Sequence, residues 1–219
     1  VAPGRLARWL ESFAQRHGGA TADPGQATVT FRAADGAVAE CHVPFPPLAT
    51  GDTQGSGSAP GDDDTARYGE LITAHAHADR TVGVFLVRLG GYAAGVFSGS
   101  PPQLMASKVG SRLVHGRSAA GGTSQHRFAR RREKQAAEAM GAAADTAVAV
   151  FAPYAGRMDA VVLGGDRRAM AQLRDDPRLA PYFGVAVGRF LTVPDPRLTV
   201  LRGTPRLFLA IRIRLTGPA

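Results

Sequence analysis

A chain of 219 residues holds one domain or two small ones, and it buries roughly 70% of its unfolded surface, so it needs no covalent staples. Its single cysteine, Cys41, excludes an internal disulfide and any multi-cysteine zinc site. The 26 Lys and Arg against 18 Asp and Glu leave a net charge of +8, which points to nucleic acid or an anionic surface.

In chain order, Leu6, Trp9, Leu10 and Phe13 fall at i, i+3, i+4, i+7 and predict an amphipathic helix that Gly18 and Gly19 end. Thr28 to Phe31 and Val38 to Val43 read as strands joined near Asp35-Gly36. Pro44, Pro46 and Pro47 stop regular structure, and residues 44–66, rich in Gly, Ser, Asp and Pro, read as a flexible loop with a solvated acidic tip at Asp62, Asp63 and Asp64. Tyr68, Leu71, Ile72 and His75 predict a second helix. Thr81 to Leu89, Gly90-Gly91, then Tyr92 to Phe97 predicts a hairpin whose first strand is apolar on both faces and therefore central. A Gly/Ser/Pro-rich loop over 99–124 follows, then a helix from Gln125 to about Ala152 with Phe128, Ala136, Met140, Ala143, Ala147 and Phe151 on its buried stripe. Met158 to Leu163 reads as a buried strand, and Gly164-Gly165 leads into a short helix from Asp166 that Asp175-Asp176-Pro177 ends. Residues 181–204 show no clear pattern. Arg206 to Leu215 alternates as a strand with one wet face. Strands before, between and after helices make the class α/β or α+β with a mixed sheet. No apolar run approaches the ~20 residues of a membrane span. Val1 to Leu10 lacks the charged-then-apolar order of a signal peptide, so a cytoplasmic protein without a membrane partner is expected.

The charge is not spread evenly. Residues 99–135 hold Lys108, Arg112, Arg117, Arg127, Arg130, Arg131, Arg132 and Lys134 against one acid, Glu133, so this segment carries almost the whole excess. Cations crowding the start of a helix oppose its dipole, which an external anion would offset. The segment therefore reads as an RNA-contacting surface. At its joint stand Gly121, Gly122, Thr123, Ser124 and Gln125. Glutamine is no general base at neutral pH, but its amide can orient a water and its backbone N–H can donate to an oxyanion. Read from composition alone, the same residues also suit a plain helix cap.

Other chemistries find little support. A two-metal nuclease needs carboxylates on adjacent central strands, and residues 81–98 contain none. Asp159 and Asp166 lack partners in sequence, and His75-Ala76-His77 has no third ligand nearby. Cys41-His42 would point to opposite faces of a strand. Gly164-Gly165-Asp166 suits a tight turn or a phosphate site. No phosphate-binding loop or dinucleotide fingerprint is present, so no metal, nucleotide or other cofactor is expected.

Gly121-Gly122-Thr123-Ser124-Gln125, continued by His126 through Gln135, resembles the signature of the Vms-like release-factor family, whose actinobacterial branch is regarded as peptidyl-tRNA hydrolases. The family is related to the catalytic domain of eukaryotic and archaeal class I release factors. The resemblance covers about residues 98–135 in detail and the rest by order of elements. It departs at one point: two residues separate Gly122 from Gln125, a Gly-x-x-Gln pattern that the family tolerates in place of the tripeptide Gly-Gly-Gln. It implies a single catalytic domain over 1–219, with a mixed, ribonuclease H-like sheet flanked by helices and lacking the nuclease's acids. It also implies catalytic Gly121, Gly122 and Gln125, and a monomer acting on the large ribosomal subunit, its rRNA and the CCA end of peptidyl-tRNA. Cleavage of the tRNA near its CCA end, or RNA docking without catalysis, are the alternatives.

Overall fold

A computed structural model describes residues 1–49, 62–88, 90–111 and 125–217. In chain order its elements are α1 (Leu6–Arg16), β1 (Ala20–Pro24), β2 (Thr28–Ala33), β3 (Val38–His42), α2 (Asp62–Ala76), β4 (Val82–Arg88), β5 (Gly91–Ser98), β6 (Gln103–Ser111), α3 (Gln125–Phe151), β7 (Ala160–Gly165), α4 (Arg167–Leu173), α5 (Ala180–Gly184), β8 (Ala186–Leu191), α6 (Leu198–Arg202), α7 (Pro205–Phe208) and β9 (Arg212–Thr216). One domain over the whole chain is the expectation from sequence; the contacts gather into two compact units, Val1–Ala78 with Arg206–Ala219, and Asp79–Pro205.

The first unit is an antiparallel sheet in the order β1-β2-β3-β9. Register sets its core. Val29 pairs with Cys41 and Phe31 with Ala39, so all four side chains share one face. That face meets Leu6, Leu10 and Phe13 of α1 and Tyr68 and Ile72 of α2. Gly18 and Gly19 end α1 with φ of 75° and 96°, a region side-chain-bearing residues avoid.

Three expectations fail here. Within residues 44–49, Pro44, Phe45 and Leu48 are buried and the Leu48 N–H donates to the Gln26 carbonyl at 2.7 Å. Helix α2 already begins at Asp62, and Thr65, placed by sequence in the loop, is buried and donates to the Ala20 carbonyl at 2.9 Å. Acids opening a helix suit its positive end, which is why the run at Asp62 folds as a first turn; residues 50–61 lie outside the described residues. Lastly, the strand expected over 206–215 is confined to β9. Pro205, whose fixed φ suits a first helical position, opens the turn α7, and Phe208 buries against Phe45 with ring centroids 5.7 Å apart. Strand β1 carries no clear alternation and was not expected.

The second unit is a five-stranded sheet, β6-β5-β4-β7-β8. Strand β5 runs antiparallel to β4 and β6, while β7 and β8 run parallel to β4. Numbered within the unit, this is the order 3-2-1-4-5 with the second strand reversed, the ribonuclease H-like arrangement that the resemblance implied. Strand β4 is central, and Val82 through Val87 are buried on both faces. The parallel connections run through helices, as parallel pairs require: α3 between β6 and β7, and α4 with α5 between β7 and β8.

The loop expected over 99–124 is corrected in its first half. Residues 103–111 form β6, the third strand, hydrogen-bonded along β5 with a register shift near Val96/Phe97. Pairing with β5 satisfies backbone groups whatever the side chains are, so an edge strand needs little apolar signal. Residues 112–124 lie outside the described residues.

Candidate functional site

Helix α3 is 27 residues long, about 40 Å. It lies on β5 and β6 through Ala139, Ala143, Ala144, Ala147 and Val150, small residues that bring the helix close to the sheet. Phe151 locks its far end between Phe85 and Tyr182, ring centroids 6.3 and 5.1 Å away. Among the residues of α3 whose side chains are described, from Glu133 onward, the first buried position is Ala139, whereas Glu133, Lys134, Ala137 and Glu138 are exposed. Gln125 opens the helix about 21 Å before Ala139. The predicted stripe is thus right from Ala143 to Phe151, while Ala136 and Met140 are half-buried and the Phe128 side chain lies outside the described residues.

Of the predicted site residues, Lys108 and Lys134 have described side chains, and both are exposed. Lys108 was expected on a loop; it stands instead on β6, opposite Ala94, whose side chain belongs to the α3-facing core. Lys108 therefore lies on the sheet face that α3 covers. Lys134 Nζ is 4.0 Å from Glu138 Oε1 one turn on, an exposed pair that contributes little. Arg112, Arg117, Gly121 and Gly122 lie outside the described residues. Gln125, Arg127, Arg130, Arg131 and Arg132 occupy the first turns of α3 by backbone, and their side chains lie outside the described residues. Near the end of β6, a Cβ on Gly110 would sit 2.5 Å from the Tyr92 ring, so the glycine lets that ring lie flat against the strand just before residue 112. A glycine inside a strand is the sequence signal for such close approach.

The competing candidates take structural roles. Asp159 Oδ2 accepts the Thr81 N–H at 2.7 Å, tying β4 to β7 at their starts. Asp166 Oδ1 accepts the N–H groups of Arg168 and Ala169 at 2.7 and 3.2 Å, capping α4 with its own carboxylate where a phosphate would otherwise sit. Cys41 is buried and burial pushes its thiol up to about 12, so it is no nucleophile at neutral pH. His42 faces the other way, Nδ1 lying 3.3 Å from Thr28 Oγ1. His75 Nε2 meets the Phe45 carbonyl at 2.9 Å. Among the described residues, no cluster of three His, Cys, Asp or Glu gathers, and no helix is long and apolar enough to cross a membrane.

Gly165 tests how tightly the sheet is closed. Its φ is +101°, and a Cβ there would come 2.1 Å from the Val87 carbonyl oxygen of β4. Gly165→Ala is expected to cost about 3 kcal/mol or more, lowering Tm by ~6–12 °C. Gly141, mid-helix in α3 with nothing within 4 Å of an added Cβ, gives the opposite sign: Gly141→Ala should stabilise by ~0.5–1 kcal/mol. Calorimetry on both variants checks the pair.

The second unit thus combines a mixed sheet of this order, no carboxylate on β4, β5 or β7, and a helix of basic sequence following its third strand. The chain belongs to the Actinobacteria/chloroflexi VLRF1 release factor family, whose model matches residues 80–214, from the start of the second unit into β9. Membership makes translation its setting. Among solved structures it is similar to an archaeal translation termination factor, aRF1, at 11% identity over 95% of this chain and 73% of that one, TM-score 0.44. It is also similar to a Vms1 mitochondrial localization core (13%, 99% and 82%, TM-score 0.38). A third is S. cerevisiae Dom34, described as a translation termination-like factor involved in RNA quality control pathways and interacting with Hbs1 (8%, 83% and 50%, TM-score 0.31). No curated protein matches the chain.

Proposed function

We propose that this chain is a peptidyl-tRNA hydrolase that frees the nascent peptide on stalled large ribosomal subunits. The observation that carries the reading is the position of Gln125: it opens a 27-residue helix whose far half, from Ala139 to Phe151, packs on the sheet. A helix start presents backbone N–H groups without intrahelical partners, which suit a developing oxyanion. The cations from Lys108 to Lys134 engage rRNA and tRNA phosphates. Gly121 and Gly122 let the backbone approach the CCA end without side-chain bulk.

The Gln125 amide holds a water against the ester carbonyl. The water oxygen bonds to the acyl carbon, and a backbone N–H steadies the tetrahedral oxyanion. The bond to the tRNA 3′ oxygen then breaks, and that oxygen takes up a proton while the water's other proton passes to solvent. Peptide carboxylate and intact tRNA leave. The amide neither gains nor loses charge, so no metal or nucleotide is needed by this scheme.

The test is a release assay on isolated large subunits carrying peptidyl-tRNA, with the 3′ end of the product tRNA sequenced. Free peptide with an intact CCA end is expected. A shortened 3′ end would transfer the chain to the nucleases, and binding without any release would make it an RNA-docking protein.

A further inference from the structure

The five-stranded sheet has two edges, β6 on the side of the basic helix and β8 on the other. The β8 edge carries exposed cations of its own. Arg167 opens α4 and Arg174 closes it, seven residues and about 10 Å apart on one side of the helix. Each guanidinium lies over an aromatic ring from a following element: Arg167 is 4.4 Å from the ring centroid of Phe190 on β8, and Arg174 is 4.8 Å from that of Phe183 on α5. Both rings pack against the core, so the two guanidinium groups rest on a fixed floor with their outer planes exposed. Among the described residues, neither arginine forms an ion pair. The nearby acids are engaged elsewhere: Asp145 and Asp176 both clasp Arg178 at 2.7 Å, and Asp166 caps α4. Asp175, exposed in the turn that follows α4, takes no such role among the described residues.

The geometry points to a second RNA-contacting surface on α4, α5 and β8, which takes an unpaired stretch of large-subunit rRNA. The chemistry fits that partner in two ways. A guanidinium plane backed by a ring offers its open face to a base, and its outward N–H groups pair with phosphate oxygens. Because the rings already hold the side chains, little ordering is left to the moment of binding. An acidic protein segment would use the charge but not the exposed planes. With the basic helix bound toward the tRNA end, the opposite sheet edge is free to meet rRNA. This inference rests on the ribosomal reading above.

Binding to purified large subunits between 50 and 200 mM salt tests it, with parent and Arg167→Gln/Arg174→Gln compared after thermal melts show both folded. Losing two phosphate contacts should weaken binding roughly 10–50-fold near 100 mM salt and make the log–log salt slope shallower by about 1.5. Arg167→Lys/Arg174→Lys, which keeps charge but not the planes, should fall between the two. A double variant that matches the parent in affinity and slope overturns the inference. So does a deficit seen on subunits but not on deproteinised rRNA, which would assign the surface to an acidic ribosomal protein. A parent that binds no large subunit sinks the ribosomal reading itself, a result distinct from a bound parent with an unaffected variant. Should the double variant melt early, the two exposed single variants are measured instead, each with half the slope change.

Discussion

Gln125→Ala is expected to slow peptide release from stalled large subunits by about 10²–10³ while subunit affinity stays at the parental value. The size follows from the proposed role. The side chain holds one water and steers charge that exists only in the transition state, and losing one such contact commonly costs about 3–4 kcal/mol of barrier. Affinity should stay because the amide is neutral, whereas the cations around it carry the electrostatic attraction. Gln125→Asn keeps the amide but draws it back by one methylene, so it should recover little. Single-turnover release and an equilibrium binding assay, run on the same preparations, separate the two quantities. Parental release by Gln125→Ala would remove this side chain from the chemistry and return it to the role of a plain helix cap. Loss of binding together with release would mean that the substitution damaged docking.

Affinity for the large subunit should fall about 10³-fold between 50 and 200 mM salt. That figure assumes ~6 phosphates neutralised by the cations of residues 108–134, each releasing about one condensed counterion. Lys108 stands exposed on β6, and Lys134 is exposed with a weak partner in Glu138, so among the described residues neither charge is spent inside the fold. Arg130, Arg131 and Arg132 are consecutive on α3. Changing all three to Gln should make the slope shallower by about 3. Helix stability should not suffer, since removing positive charge near a helix start relieves repulsion from the dipole. A salt-independent affinity would exclude a phosphate-dominated interface, and an unchanged slope in the triple variant would place that interface elsewhere on the chain.

Much of the site's frame is legible without coordinates. The spacing of Leu6, Leu10 and Phe13 yields α1, the doubly apolar run from Val82 to Val87 yields a central strand, and Ala143, Ala147 and Phe151 yield the buried end of α3. Each rests on a periodic pattern of apolar residues, which local geometry converts directly into a face. Errors arose where local pattern and partner disagree. Gln103 to Ser111 looks like loop because an edge strand exposes most of its side chains; β5 makes it a strand through backbone bonds. Arg206 to Leu209 alternates like a strand, but the proline at 205 starts a helical turn and Phe208 finds its core contact from there. The acids from Asp62 look solvated, yet buried Thr65 and Tyr68 draw them into α2.

The sequence by itself determined the concentration of positive charge around one Gly-Gly-x-x-Gln segment, the want of acids over residues 81–98, and the length of the helix that begins at Gln125. These are properties of composition and short-range order, which need no partner. The tertiary structure alone decided that the latter half of this helix is seated on the sheet, that Lys108 belongs to a sheet edge, and that Arg167 and Arg174 stand on rings supplied by β8 and α5. Such facts depend on which distant segments meet, and strand order and helix packing set that through contacts that no local window of residues contains.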